Sequence, residues 1–267
     1  MKNYLFLGMM SAVVFFNSCS SNDDNETKNE PTGKTLLLSK VTTTYYDDPS
    51  KPKTVIKSFE YNSQGELIKQ LSAGKAITFE YSNGKPIKAN YYNAQQQLDF
   101  YSNFYYTGSQ LNKIKNIYSN QSGSRTINYA YNSNGQLSSS TLCKTEDCSN
   151  SNTTSYTYSG DNISVETTLG TSAMDMGNKY EYSYDNKLNP YTNINKYLKI
   201  MMGEMTALSK NNYLINKDSF EFNGNWTPSE TTTFTIQYNN SGFPVKATGI
   251  GSDGNLSVQY DYEYILQ

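Results

Sequence analysis

From residue 34 to the C-terminus, apolar and polar residues alternate in short runs. Ile77, Phe79 and Tyr81 share one face of an extended chain against Thr78, Glu80 and Ser82, and Phe234, Ile236 and Tyr238 do the same against Thr233, Thr235 and Gln237. A period of two marks a strand buried on one side only. The runs recur as a unit: aromatic, polar, aromatic, a short Asn/Ser/Gly turn, then an aliphatic residue opening a second strand. Copies occupy Phe59–Leu67, Phe79–Ile87, Tyr129–Leu137, Tyr156–Ile163, Tyr182–Leu188 and Ile236–Val245. Weaker ones sit at Tyr105–Leu111 and Phe220–Gly224, and another begins at Tyr260–Tyr264.

The anchor tyrosines Tyr61, Tyr81, Tyr106, Tyr131, Tyr158 and Tyr184 are 20 to 27 residues apart. That is room for two strands of roughly eight to ten residues and two turns, so each copy reads as a β-hairpin. The turns Asn62-Ser-Gln-Gly65 and Asn132-Ser-Asn-Gly135 suit a type I turn closed by a glycine at positive φ, which forms a bulge. These glycines are geometric and do not cradle a phosphate. The pattern predicts an all-β, antiparallel up-and-down meander of about fourteen to eighteen strands, strongly curved or closed into a barrel to protect its edges. It leaves open whether the sheet closes.

Between Tyr184 and Phe220 the rhythm breaks. Ile194, Leu198, Met201, Met202, Met205 and Leu208 fall at helical spacing, predicting one short helix within 194–208 that covers an end of the sheet's apolar face.

The first residues follow a different logic. Met1-Lys2-Asn3 is a short positive start, and Tyr4–Phe16 is an apolar run too short to span a bilayer comfortably. It reads as the core of a lipoprotein signal peptide, residues 1–18, with Cys19 the acylated first residue of the mature chain. Residues 19–33 hold no apolar side chain that could order them and read as a flexible tether. The acidic cluster Asp23-Asp24 fits both a solvated linker and the export signal of surface-displayed lipoproteins. Residues 34–267 are expected to form a single β-repeat domain.

The aromatic-x-Tyr-[Asn/Asp]-x-x-Gly-x-Leu unit resembles the YD repeat of Rhs-type and teneurin-like proteins. Together with the lipobox and the segment from Asn189-Pro190-Tyr191 to Ser209-Lys210-Asn211-Asn212, it resembles a family of Bacteroidetes lipoproteins of unknown function. The resemblance implies a porin-like or meandering β fold and transfers no catalytic or binding residue. Asn or Ser stands where the fuller YD pattern has Asp, except at Asp185, and the repeats are too few for a toxin-enclosing shell.

Composition narrows the chemistry. With 25 Tyr and 11 Phe, the core is built from rings, while a net charge of −2 offers no basic field for nucleic acid. Histidine is absent, which removes the commonest general base and transition-metal ligand, so no metal and no cofactor is expected. Cys143 and Cys148 flank four residues between two strands and, in an exported chain, are expected to form a disulfide. Glu60, Glu80, Glu181 and Glu263 fall on the polar face as solubilising charges, and no carboxylate pair is marked for glycoside hydrolysis. Trp226, in a loop-like Asn-Gly-Asn-Trp-Thr-Pro stretch, is the one candidate for a stacking contact.

These observations favour a noncatalytic module held at the outer membrane by a lipid anchor, facing the periplasm or the cell surface and binding a glycan or an envelope protein. Two alternatives stand beside it: a glycan-active hydrolase using Asp/Glu carboxylates, and an outer-membrane β-barrel, in which apolar and polar residues also alternate.

Overall fold

The computed structural model describes residues 34–118, 124–170, 176–203 and 205–267; the expected signal peptide, Cys19 and the tether lie outside the described residues. Sixteen strands are present among them. They are β1 Leu36–Tyr45, β2 Lys53–Tyr61, β3 Leu67–Ser72, β4 Lys75–Ser82, β5 Lys85–Tyr92, β6 Leu98–Thr107, β7 Gln110–Tyr118 and β8 Ser124–Tyr131. The second half comprises β9 Leu137–Cys143, β10 Ser151–Ser159, β11 Asn162–Thr168, β12 Gly177–Leu188, β13 Asn211–Phe222, β14 Asn225–Tyr238, β15 Pro244–Ile250 and β16 Leu256–Leu266. Every strand pairs antiparallel with its sequence neighbours, and β1 pairs with β16. The meander is therefore a closed barrel with no free edge, which settles the question that alternation alone leaves open.

The repeated turns lie at one end of this barrel, here the turn end. Where Asn follows the anchor tyrosine, as at Asn62 and Asn132, its side chain organises the turn. Asn62 Oδ1 accepts from the Gln64 and Glu66 amides at 3.1 and 2.9 Å, and Asn132 Oδ1 accepts from Asn134 and Gln136 at 3.0 Å each. Gly65 and Gly135 follow at φ 76° and 77°, where a Cβ would be strained. At each anchor tyrosine from Tyr61 to Tyr184 the pairing register slips by a bulge.

The anchor hydroxyls join one hairpin to the next. Tyr61, Tyr81, Tyr106, Tyr131, Tyr184 and Tyr264 donate to the backbone carbonyls of Leu38, Leu67, Pro86, Leu111, Ile163 and Pro244 at 2.5 to 2.8 Å. In each case the acceptor lies near the start of the preceding strand, which at this end belongs to the neighbouring hairpin. Tyr238 departs from the rule and donates to the Asp185 carboxylate, which also accepts from the Asn212 amide. Asp185, the one residue that keeps the acidic position of the YD unit, thus anchors β14 across the long connection between β12 and β13.

That connection carries the expected helix as two pieces, α1 Lys196–Met202 and α2 Met205–Leu208, separated at Gly203 in the left-handed region. It crosses the turn end of the barrel and is tied to the rim. Asn193 Nδ2 donates to Leu36 O at 2.7 Å, Asn195 Nδ2 to Gly84 O at 3.1 Å, and the Tyr197 hydroxyl to Ser109 O at 2.7 Å. Below it, Tyr191, Ile194, Tyr197, Leu198 and Ala207 pack with inward rings and aliphatics such as Phe59, Phe79, Phe104, Tyr129 and Tyr156 in one buried cluster. A sixteen-stranded barrel encloses more space than wall side chains alone can fill, and the plug supplies the missing volume.

Polarity follows the alternation. The anchor tyrosines and the core rings face inward, while Glu60, Glu80, Glu181 and Glu263 all face outward and pair with Lys69, Lys88, Lys179 and Lys40 at 2.6 to 3.6 Å. Partly exposed pairs of this kind add little stability. Their significance is locational, because each lysine placed against hydrocarbon at mid-bilayer would cost about 2–4 kcal/mol.

The tyrosine stitches lead to a direct expectation. Tyr131→Phe leaves the Leu111 carbonyl without its donor and should lower unfolding free energy by about 1–2 kcal/mol. Tyr105→Phe, at an outward ring, should stay within about 0.5 kcal/mol; denaturant melts of the two variants decide.

Candidate functional site

Two halves of the lumen differ. The plug packs into the core cluster of inward side chains, and a cavity of about 590 Å³ remains on the side formed by β11 to β16 and the strands that close on them, β1 and β2. Its floor is the plug itself, through Asn189, Pro190, Tyr191 and Gly203. At the other end it reaches solvent beside Tyr45 and Val55, 41% and 38% exposed. The lumen on this side is thus a cup with a floor.

Phenol and phenyl rings make up much of the wall. Tyr180 and Tyr182 stack with centroids 6.4 Å apart, Tyr213 meets Tyr182 edge-on at 6.0 Å and Phe234 at 4.8 Å, and Tyr260 stacks on Tyr262 at 6.2 Å. Gly249 makes room for this crowding, since a Cβ there would lie 2.7 Å from the Phe234 ring and 2.9 Å from Val258. Burial raises the hydroxyls of Tyr182, Tyr213 and Tyr262 far above the ordinary phenol range, so they are neutral donors at any physiological pH.

Among the described residues lining the cup, Glu166 is the one carboxylate and Lys57 the one cation. Lys57 is itself engaged in an interaction. Burial pushes the Glu166 carboxyl up to about 7, and no basic group offsets that cost. Sequence reasoning missed this residue for a physical reason. The register slips between Thr157 and Tyr158, so Ile163 faces inward, Val165 outward and Glu166 inward again. Read as unbroken alternation with Ile163 and Val165 on the core side, Glu166 would be a surface charge.

The other expected positions lie elsewhere. Cys143 ends β9 and is disulfide-bonded to Cys148, with Cα atoms 4.6 Å apart, in the turn to β10. Trp226 is not in a loop: Asn223 and Gly224, both at positive φ, make a two-residue hairpin turn, and Trp226 lies in β14 opposite Glu221. It is half-buried on the outer face, with Lys179 Nζ 5.5 Å from its ring centroid. The turn at Phe220–Gly224, read from sequence as a weak copy of the repeat, belongs to the opposite end of the barrel from the true copies. None of these residues lines the cup. No group of three or more Cys, Asp or Glu able to hold a metal occurs among the described residues.

Glu166 sets a pH dependence whose sign is fixed. Its value in the folded chain lies above the ordinary 4.5, so the folded chain holds an extra proton between about pH 4.5 and 7, and stability falls as pH rises through that window. Glu166→Gln should remove the fall and raise stability at pH 8 by up to about 3 kcal/mol while leaving it nearly unchanged at pH 4. Denaturant melts at the two pH values measure this, and an unchanged pH profile in the variant would contradict the burial of the carboxylate.

Comparison with known proteins completes the picture. No protein-family model matches the chain, and no curated protein matches it. Among solved structures it is similar to a porin-like protein from Bacteroides uniformis, with a TM-score of 0.53 and 16% identity, over 86% of this chain and 96% of that one. A porin-like protein from Bacteroides vulgatus aligns over 86% of this chain and 99% of its own at a TM-score of 0.44 and 12% identity. The first likeness shows the fold: the chain is a porin-like, closed antiparallel β-barrel.

Proposed function

We propose that this chain is a noncatalytic lipoprotein of the cell envelope, anchored to the outer membrane through an acylated Cys19, whose barrel stands in water and binds a glycan in its ring-lined cup. The observation that carries the reading is the polarity of the wall. Ion-paired lysines and glutamates face out from the barrel while rings and a floored cavity face in. A channel protein needs lipid-facing apolar strands and an open passage; this wall favours water outside and a ligand inside. Tyrosine rings offer flat apolar faces to stack on sugar rings and hydroxyls to bond their edges. The porin-like fold is consistent with an envelope location.

Hydrolysis is the second reading, favoured by Glu166, whose carboxyl near 7 would serve a general acid. A glycosidase needs a partner carboxylate across the scissile bond. Glu166 has none among the described residues that line the cup.

The mature chain expressed from Ser20 should purify as a soluble protein without detergent, leave planar bilayers non-conducting, and show a thermal shift with specific members of a glycan array. Tyr182→Leu should weaken such binding about tenfold or more, and Trp226→Ala should leave it unchanged. Dependence on detergent, or conductance, would overturn the reading in favour of an outer-membrane barrel; release of reducing ends from a bound glycan, lost in Glu166→Gln, would favour the hydrolase. In cells, fatty-acid labelling should disappear with Cys19→Ala.

A further inference from the structure

Charge is distributed unevenly around the lumen. Cross-strand pairing sets Glu166 opposite Tyr180, Tyr180 opposite Asp218 and Asp218 opposite Glu230, so three carboxylates follow one another on the inward side of β11, β13 and β14. The lysines of this half point the other way: Lys179 pairs with Thr167, Lys217 with Thr231 and Lys246 with Gln237, all on the outer face. Negative charge therefore runs along this wall from the half-buried Glu166, which lines the cup, through the half-buried Asp218 to the exposed Glu230, in a chain whose net charge is only −2.

That wall also holds buried acceptors without partners. Asn216 steadies the Asp218 carboxyl, yet the Oδ1 atoms of Asn216 and Asp218 are both buried without a hydrogen-bond partner. Buried acceptors left unmet are costly, and although neither residue is on the cup's lining, both add to the electronegative character of the wall behind Glu166. Beside them the faces of Tyr180 and Tyr182 add the negative side of two ring quadrupoles. A ligand with hydroxyls alone gains hydrogen bonds from this wall but nothing from its charge. An ammonium group gains a charge-assisted bond to a carboxylate and a cation–π contact together.

We infer that the ligand of the cup carries an ammonium group, held by the Glu166 carboxylate against the Tyr180 and Tyr182 rings, with amino sugars as the chemical class that joins such a cation to a stackable ring. The inference rests on the binding-cup reading above. Lys57 lines the cup from β2, on the wall opposite Glu166, and is itself engaged in an interaction.

The test is calorimetric titration of the mature chain from Ser20, at pH 7, where the sugar amines and Glu166 both keep a substantial charged fraction, with three probes: a glucosamine tetramer, its fully N-acetylated counterpart, and choline. The tetramer should bind at least tenfold tighter than the acetylated form, which differs from it only in carrying amides for amines. Glu166→Gln, expected to be the more stable protein at this pH, should abolish that preference, and Glu181→Gln on the outer face should keep it. Equal binding of both tetramers, or a preference that survives Glu166→Gln, overturns the ammonium site while leaving a glycan cup intact. Binding of choline alone upholds the ammonium site and ends the glycan reading. Silence with all three probes overturns both.

Discussion

A buried tyrosine hydroxyl must find an acceptor, and in this barrel it finds one on the neighbouring hairpin. Hairpins built on local turns have no intrinsic reason to line up with each other. The bond from Tyr131 to the Leu111 carbonyl, repeated at Tyr61, Tyr81, Tyr106, Tyr184 and Tyr264, fixes each of these strands against the one before it. Phenylalanine would fill the same space without setting that alignment, which explains why the repeat keeps tyrosine at its anchor. The bulge beside each anchor belongs to the same device, because it turns the ring inward where the hydroxyl reaches across.

Once the rings point inward, the rest of the architecture is constrained. A wall of sixteen strands encloses a wide interior, and rings alone cannot occupy it. The β12–β13 connection closes one end and fills half the lumen, while the other half keeps a cavity floored by Asn189, Pro190 and Tyr191. Threonine, lysine and glutamate take many of the outward positions, beside exposed Ile56, Tyr105 and Ile265, and their ion pairs suit water. A fold shared with a porin-like protein thus carries ion pairs on its outward face, which is what the proposed water-facing reading rests on.

How much of this could be read from residues alone depended on distance along the chain. Hairpins, strand phase and the turn glycines were legible because each is local: Tyr129, Tyr131 and Gly135 specify one another within seven residues. The break at Ile194–Leu208 was legible as a helix, and its role as a cover for the apolar face fits the plug it forms. Closure was not legible, since β1 and β16 pair Leu36 with Leu266 and carry no mark that distinguishes them from other strands. Glu166 escaped because a single bulged residue inverts the phase of its strand. Trp226 was placed in a loop because Asn223-Gly224 was not recognised as a hairpin turn so tight that the strand resumes at once.

The central claim is that tyrosines line the inside of a barrel whose outside faces water. Hydroxyl-radical footprinting of the intact protein on its native membranes, read by mass spectrometry, tests it ring by ring. The account predicts labelling of the outward Tyr101 and Tyr105, with Tyr129 and Tyr156, each 8% exposed, protected. Protection of Tyr101 and Tyr105 by membrane, with labelling of Tyr129 and Tyr156 from a water-filled lumen, would contradict it.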